Sequence, residues 1–428
     1  MTSPTVELDA AVARDFRWNL GAAVTHGVLY QTSAALTSPT SVLPAFIALL
    51  TDSTMAAGLP TAIIFVGQVL PQLMTARLIG PLAQKKRVLM GVVSLRAISW
   101  GALAWLTYRF SLEQPGWVLA ALLGLLVLFS MAGGTGIVAY ADVIAKVFPA
   151  TRRGLFYGLR SIIGVGFTFS AGLLVRHVLA RDAQFPFPGN YALLFGLAAL
   201  ALGIAFVGFA SIREPMEQRQ VVRQSWGDHL KRSLRLVRAN ANFRTLVWVR
   251  LLLGGSLLAL PYYVLYARRV LIVPEAAVGV YVSAQVLGEA AGNFLWGAIG
   301  DRHGYGRVLR LLALVGAITP LAALAVPGGS SWVFAGVFLL LGSIFTAVEI
   351  AVNNFLLELA PGEVRPTCVA LLNTLVAPLF LLPMLGGWLV GAGSFALVFT
   401  ITAAVNLAGL GLSLRLKDPR LDSEAACA

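Results

Sequence analysis

Charge is scarce in this sequence: 12% of its 428 residues are Asp, Glu, Lys or Arg, and only two are cysteine. Cys368 falls in a predicted helix and Cys427 in the C-terminal tail, which argues against a structural disulfide. The four histidines lie dispersed. With the cysteines they form no nucleophile elbow and no metal-ligand spacing, so no catalytic group, metal site or cofactor is expected. No GxxxxGK[ST] run occurs, which argues against an ATP-driven pump within this chain. Any energy used would come from a gradient. Residues 1–16 carry Glu7, Asp9, Arg14 and Asp15 and hold no apolar core, so no cleavable signal peptide is expected.

Apolar residues are plentiful, at 58%, against roughly 45–50% in soluble globular proteins. They gather into runs long enough to cross a bilayer as helices. Twelve spans are expected, at 18–50, 56–79, 88–109, 117–141, 155–178, 190–211, 244–267, 276–299, 307–326, 332–359, 366–391 and 394–415. The first is too long for one straight crossing, and Pro39 and Pro44 are placed to break its outer part. The net charge of +13 could suggest nucleic acid. With the N-terminus placed inside, however, only Arg109, Arg176, Arg181, Arg268 and Arg269 fall beside outer segments, and Arg96 and Arg250 lie within spans. The remaining Lys and Arg sit at inner segments. That is the positive-inside bias of a multi-pass protein of the plasma (cell inner) membrane with both termini in the cytoplasm. The basicity is therefore a topology signal and implies no nucleic-acid partner.

The longest polar stretch, 213–243, separates two halves: bundles at 18–212 and 244–416, with cytoplasmic segments at 1–17 and 417–428. On a helix, Trp226, Leu230, Leu234 and Val237 form one stripe ringed by Lys231, Arg232, Arg235 and Arg238. Such a basic amphipathic helix would lie on the anionic inner face of membrane lipids as a tether. The halves resemble each other. YADVIAKVFPATRRGLFYGL (140–159) lies on VNNFLLELAPGEVRPTCVAL (352–371), with Pro149 over Pro361 and Arg153 over Arg365. GPLAQKKRVL (80–89) lies on GDRHGYGRVL (300–309). Two six-helix units in parallel orientation follow, with a path for substrate between them near the midplane.

Residues 297–310 read GAIGDRHGYGRVLR. This stretch resembles the loop between the second and third helices of a half in major facilitator superfamily transporters, roughly G-x-x-x-D-R-x-G-R-R. Gly297, Asp301, Arg302, Gly304 and Arg307 match, with Tyr305 and Gly306 as extra residues. The resemblance implies an all-α fold of two pseudo-symmetric six-helix bundles working by alternating access. It also implies an inner gate at this loop, since an acidic residue adds nothing to the positive-inside bias. Asp142, Arg152 and Arg153, with Arg365 in the second copy, would supply a second set of inner contacts. The first-half copy has Pro81 and Leu82 where the signature has Asp and Arg. The fourth span lacks the Arg, and the fifth the Pro, of the family's proton-coupled drug exporters.

Polar side chains inside spans are costly and so are candidates for function. Gln285, Glu289 and Asn293 share one helix face, as do Thr346, Glu349 and Asn353. The family's cavity-lining helices favour Glu349 over Glu289 as a protonatable coupling group. His26, on a face with Tyr30 and Ser33, is a third candidate or a packing residue. Arg96 and Arg250 could bind an anionic substrate or pair with Glu289, Glu349 or Asp142, and Arg250 could simply snorkel. Tyr262 and Tyr263 could wall a cavity or sit in an interfacial belt. Gln68 and Gln72 could bind a hydroxylated ligand or another helix.

The expected protein is a monomeric secondary transporter of a small organic molecule, exporting hydrophobic or amphipathic compounds, with proton coupling an option. Alternatives are a nutrient importer or uniporter of the same fold, and a transporter-like sensor or scaffold.

Overall fold

The computed structural model describes residues 4–79, 82, 84–180, 184–215, 240–359 and 365–419. All its regular structure is helical. The helices are α1 (Pro4–Leu36), α2 (Val42–Leu50), α3 (Thr54–Ile79), α4 (Lys86–Phe110), α5 (Pro115–Val147), α6 (Arg153–Val178) and α7 (Gly189–Ala210). They continue with α8 (Ala241–Gly254), α9 (Tyr262–Arg269), α10 (Ala277–His303), α11 (Tyr305–Ala325) and α12 (Ser331–Phe345). Last come α13 (Ala347–Leu359), α14 (Arg365–Val376), α15 (Leu382–Ala392) and α16 (Phe395–Ser413). Among the described residues, ten helices are long and apolar enough to cross a membrane, which makes this a multi-pass membrane protein. The proposed tether helix lies outside the described residues.

Several expected spans are interrupted, each for a local reason. The first divides into α1 and α2, and Pro44 falls in the first turn of α2, where its missing N–H costs nothing. Thr61 donates its hydroxyl to the freed Pro39 carbonyl at 2.7 Å. The seventh tightens into a 3-10 turn at Gly255–Leu258, and Pro261 then begins α9. The tenth pauses at Thr346, whose hydroxyl bonds a neighbouring helix instead of extending the apolar run.

The chain forms two compact units. One takes in the chain to Asp52, Leu59 through α7, and Glu275–Gly279; the other takes in Ser53–Gly58, α8, α9 and everything from Val280. Within the first, α4 and α1 each pack on α7; within the second, α11 and α8 each pack on α16. The same pairings thus recur in corresponding helices. A pair of asparagines repeats as well. The Asn19 amide donates to the Arg213 carbonyl at 3.2 Å and accepts from the Arg213 N–H at 2.8 Å. Asn242 does the same with Lys417, at 2.9 and 3.1 Å. Each clasp ties the first helix of a unit to the backbone leaving its last one, where carbonyls would otherwise lack partners.

Each unit has its own apolar core. In the first, Phe148 stacks on Phe156 with ring centres 4.8 Å apart, and Phe16 meets Phe148 edge-on at 5.9 Å. In the second, Val308, Leu309, Leu312, Phe355 and Leu356 are fully buried. Glycines set the closest approach between α10 and α12. A Cβ on Gly292 would lie 2.7 Å from the Ser343 Cα, and one on Gly342 would strike the Gln285 carbonyl. Small residues at such spacing let membrane helices meet backbone to backbone.

Candidate functional site

The GPLAQKKRVL copy lacks the acidic residue of its counterpart, and the first unit supplies one from elsewhere. Glu214, just after α7, accepts the Lys85 and Lys86 N–H groups at 3.1 and 2.9 Å, where α4 begins. A carboxylate there satisfies orphan donors and faces the positive end of the helix dipole. Lys146 joins Glu214 at 3.4 Å to Asp142 at 3.1 Å, and Lys85 reaches Asp142 at 2.9 Å. Asp142 is thus held inside a four-charge cluster of its own unit. Arg153 donates to the Phe148 and Ala145 carbonyls at 3.1 and 2.7 Å, closing the end of α5. Arg152 lies over the Phe16 ring, 4.8 Å from its centre. The Arg365 side chain lies outside the described residues.

In the second unit, the loop of the signature is built around its extra tyrosine. Tyr305 donates its hydroxyl to Asp301 at 3.0 Å, and its ring fills the space that a Cβ on Gly300 would need. Gly304 holds φ at 81°, a left-handed conformation suited to glycine, and a Cβ there would lie 2.6 Å from Asp418. Arg302 and Arg307 are exposed. Gly297 lines a small recess with Asn293, Trp296, Tyr305 and Ile350.

Both polar stripes of the second unit come together. Thr346 donates to Asn293 at 2.8 Å, and Asn353 donates to Glu349 at 3.3 Å. Arg250, from α8, donates to the other Glu349 oxygen at 2.8 Å, with side-chain exposures of 16% and 47%. Arg250 therefore does not simply snorkel, and Glu349 is not a lone carboxyl. Glu289 has no ion-pair partner among the described residues and packs where Gly342 crosses α10. Tyr262 and Tyr263 are buried, not on an open wall: Tyr262 donates to the Pro383 carbonyl, and Tyr263 stacks on Phe399 at 4.7 Å.

In the first unit, Arg96 is 6% exposed and donates Nη1 to the Tyr30 hydroxyl at 2.8 Å. Its guanidinium lies 4.7 Å from the Tyr30 ring centre and 3.9 Å from that of Phe129. A Cβ on Gly133 would come within 3.3 Å of that guanidinium, so glycine makes room for it. His26 is buried beside Tyr30, with ring centres 6.3 Å apart, and its Nδ1 donates to the Ala205 carbonyl at 3.1 Å. That bond leaves Nε2 as the acceptor of the neutral ring. Gln72 donates to the Gln68 carbonyl one turn earlier at 2.7 Å. Arg160 was not singled out by sequence, because it lies close enough to an expected inner end to count as a topology residue. Its Nη1 donates to the Tyr140 hydroxyl at 3.4 Å.

The chain is thus built of two membrane-helical units with repeated helix pairings. The sequence model of the Major Facilitator Superfamily matches residues 258–426. The chain shares its fold with a bacterial homologue of the iron transporter ferroportin, with a TM-score of 0.72 and 15% identity over 93% of this chain and 98% of that one. A D-xylose–proton symporter gives 0.68 and 14%, over 93% and 97%. A nucleoside transporter gives 0.69 and 14%, over 93% and 99%. Uncharacterized proteins of Mycobacterium tuberculosis and Mycobacterium bovis are 26% identical over 371 residues, 83% of this chain and 69% of theirs. The second half of the chain thus matches the sequence model of the superfamily, and the chain as a whole shares the fold of these solved transporters.

Proposed function

We propose that the protein moves a small amphipathic organic molecule across the plasma membrane by alternating access, in the direction of export. The observation that carries this reading is the group formed by Tyr30, Phe129 and Arg96 in the first unit, two aromatic faces and one buried charge. Aromatic faces suit a ligand with an apolar body, and one fixed charge suits a single polar head. A sugar would call for several hydrogen-bonding pairs instead. A compound with an apolar body partitions into bilayers unaided, so a carrier is needed chiefly to remove it. Asp301, Asp142, Arg152, Arg153 and Arg365 are proposed as inner-gate groups, with the termini in the cytoplasm.

Counterflow into proteoliposomes tests the reading. Vesicles preloaded with one member of a panel of amphipathic compounds should take up its labelled form saturably and faster than protein-free vesicles. Uptake equal to that of protein-free vesicles across the panel would overturn it.

A further inference from the structure

Arg96 lies ten residues into α4, which at 1.5 Å per residue is about 15 Å from the helix start, close to mid-bilayer. An arginine keeps its charge there because it does not deprotonate in proteins. A buried charge is tolerated when paired, and Arg96 has no carboxylate partner among the described residues. Among the described residues only Nη1 is used, on Tyr30, while the buried Nε meets no acceptor. The edge formed by Nε and Nη2 is one that a carboxylate can grip through two parallel hydrogen bonds.

Arg160 repeats the pattern. Its Nη1 is on the Tyr140 hydroxyl, its guanidinium lies 5.7 Å from that ring centre, and its Nε has no acceptor among the described residues. His26 lies between the two tyrosines, 6.3 Å from Tyr30 and 5.8 Å from Tyr140 by ring centres. The acidic residues Asp142 and Glu214 of this unit are occupied by Lys85, Lys146 and the start of α4. The unit therefore holds two cations with free hydrogen-bonding edges, flanked by aromatic rings.

We infer that Arg96 is the anchor for an organic anion, a carboxylate with an apolar or aromatic body that stacks on Tyr30 and Phe129. This rests on the transporter reading above and names its substrate class. Arg160 adds a second positive charge that draws the anion inward. Phospholipid phosphate is the other source of a negative charge, but a headgroup sits at the bilayer surface and Arg96 is about 15 Å from it. The chemistry also gives export a reason. A weak organic acid crosses a bilayer in its neutral form, loses its proton in a near-neutral cytoplasm, and is trapped there as the anion.

The test compares aromatic and medium-chain carboxylates with their primary amides in counterflow, in wild type, Arg96→Gln and Arg96→Lys. Vesicles made with and without anionic lipid distinguish the phosphate source. Carboxylates should exchange and amides should not, at the same rate in both lipid mixtures. Arg96→Gln should lower carboxylate exchange about tenfold or more, as expected for a lost charge-assisted pair, with Arg96→Lys in between. The ligand-free Arg96→Gln protein should melt no lower than wild type, because it loses an unpaired buried charge. Amides exchanging as well as carboxylates, or an Arg96→Gln protein that melts lower yet exchanges normally, would overturn the anchor while leaving transport intact. A rate that follows anionic lipid instead would assign the arginine to phosphate. Exchange of neither class would contradict the transporter reading itself.

Discussion

Arg250 and Glu349 form a 2.8 Å ion pair across 99 residues of sequence, joining α8 to α13. Glu349 is therefore gripped by a guanidinium and a neighbouring amide, unlike a lone mid-span acid. Any coupling role for Glu349 therefore passes through Arg250. A double-mutant cycle of Arg250→Gln and Glu349→Gln should give a coupling energy of about 1–2 kcal/mol, between exposed and buried pairs. Denaturation in detergent measures it, and additive single effects would mean that the pair contributes nothing.

Glu214 does more for its unit than its place at the edge of a linker suggests. Glu214→Gln weakens contacts to two backbone N–H groups and Lys146, and should cost about 1–3 kcal/mol. Glu113→Gln, which breaks an exposed pair with Arg109, should change stability by about 0.5 kcal/mol or less. Melting of the two variants side by side checks the contrast.

Asp15 lies on α1 ahead of the first span, and the Arg213 guanidinium beside it holds its carboxyl below the usual carboxylate range. The stabilisation is complete above the unfolded value, about 3.9, and is lost as pH falls through the lower folded value. Asp15→Asn should therefore melt below wild type from pH 5 to 7, as an expected range about a unit or more above that value. The two should converge as pH drops under about 3. A difference independent of pH would remove the carboxylate charge from the account.

Glycines at helix crossings and glycines in open positions should behave differently. Gly292→Ala places a methyl 2.7 Å from the Ser343 Cα and should cost about 1–3 kcal/mol through overpacking. Gly297→Ala meets nothing within 4 Å and should leave melting unchanged. Equal losses would contradict the close α10–α12 approach.

The helices were legible because membrane spans announce themselves by length and hydropathy, and the halves because their loops repeat. Partner choice was not. Arg250 and Glu349 are far apart in sequence, and several arginines and carboxylates could pair on composition alone. The tyrosines after Pro261 read equally as cavity wall or interfacial belt, and the structure buries Tyr262 and Tyr263 instead, since a buried hydroxyl needs only one carbonyl and Pro383 supplies it to Tyr262. Glu214 was hidden because the signature in GPLAQKKRVL is missing locally and is completed from another part of the chain. The Asn19 and Asn242 clasps carried one available signal, their similar places at the start of each half. Arg160 was counted with topology charges, because sequence distance from a helix end does not reveal which way a side chain points.

The most direct measurement is the accumulation of a labelled amphipathic carboxylate in proteoliposomes, with and without an imposed pH gradient. Secondary active transport predicts accumulation above equilibrium that collapses when an ionophore removes the gradient, and that is lost in Arg96→Gln. Movement that never exceeds equilibrium under any gradient, or accumulation unchanged in Arg96→Gln, would contradict it.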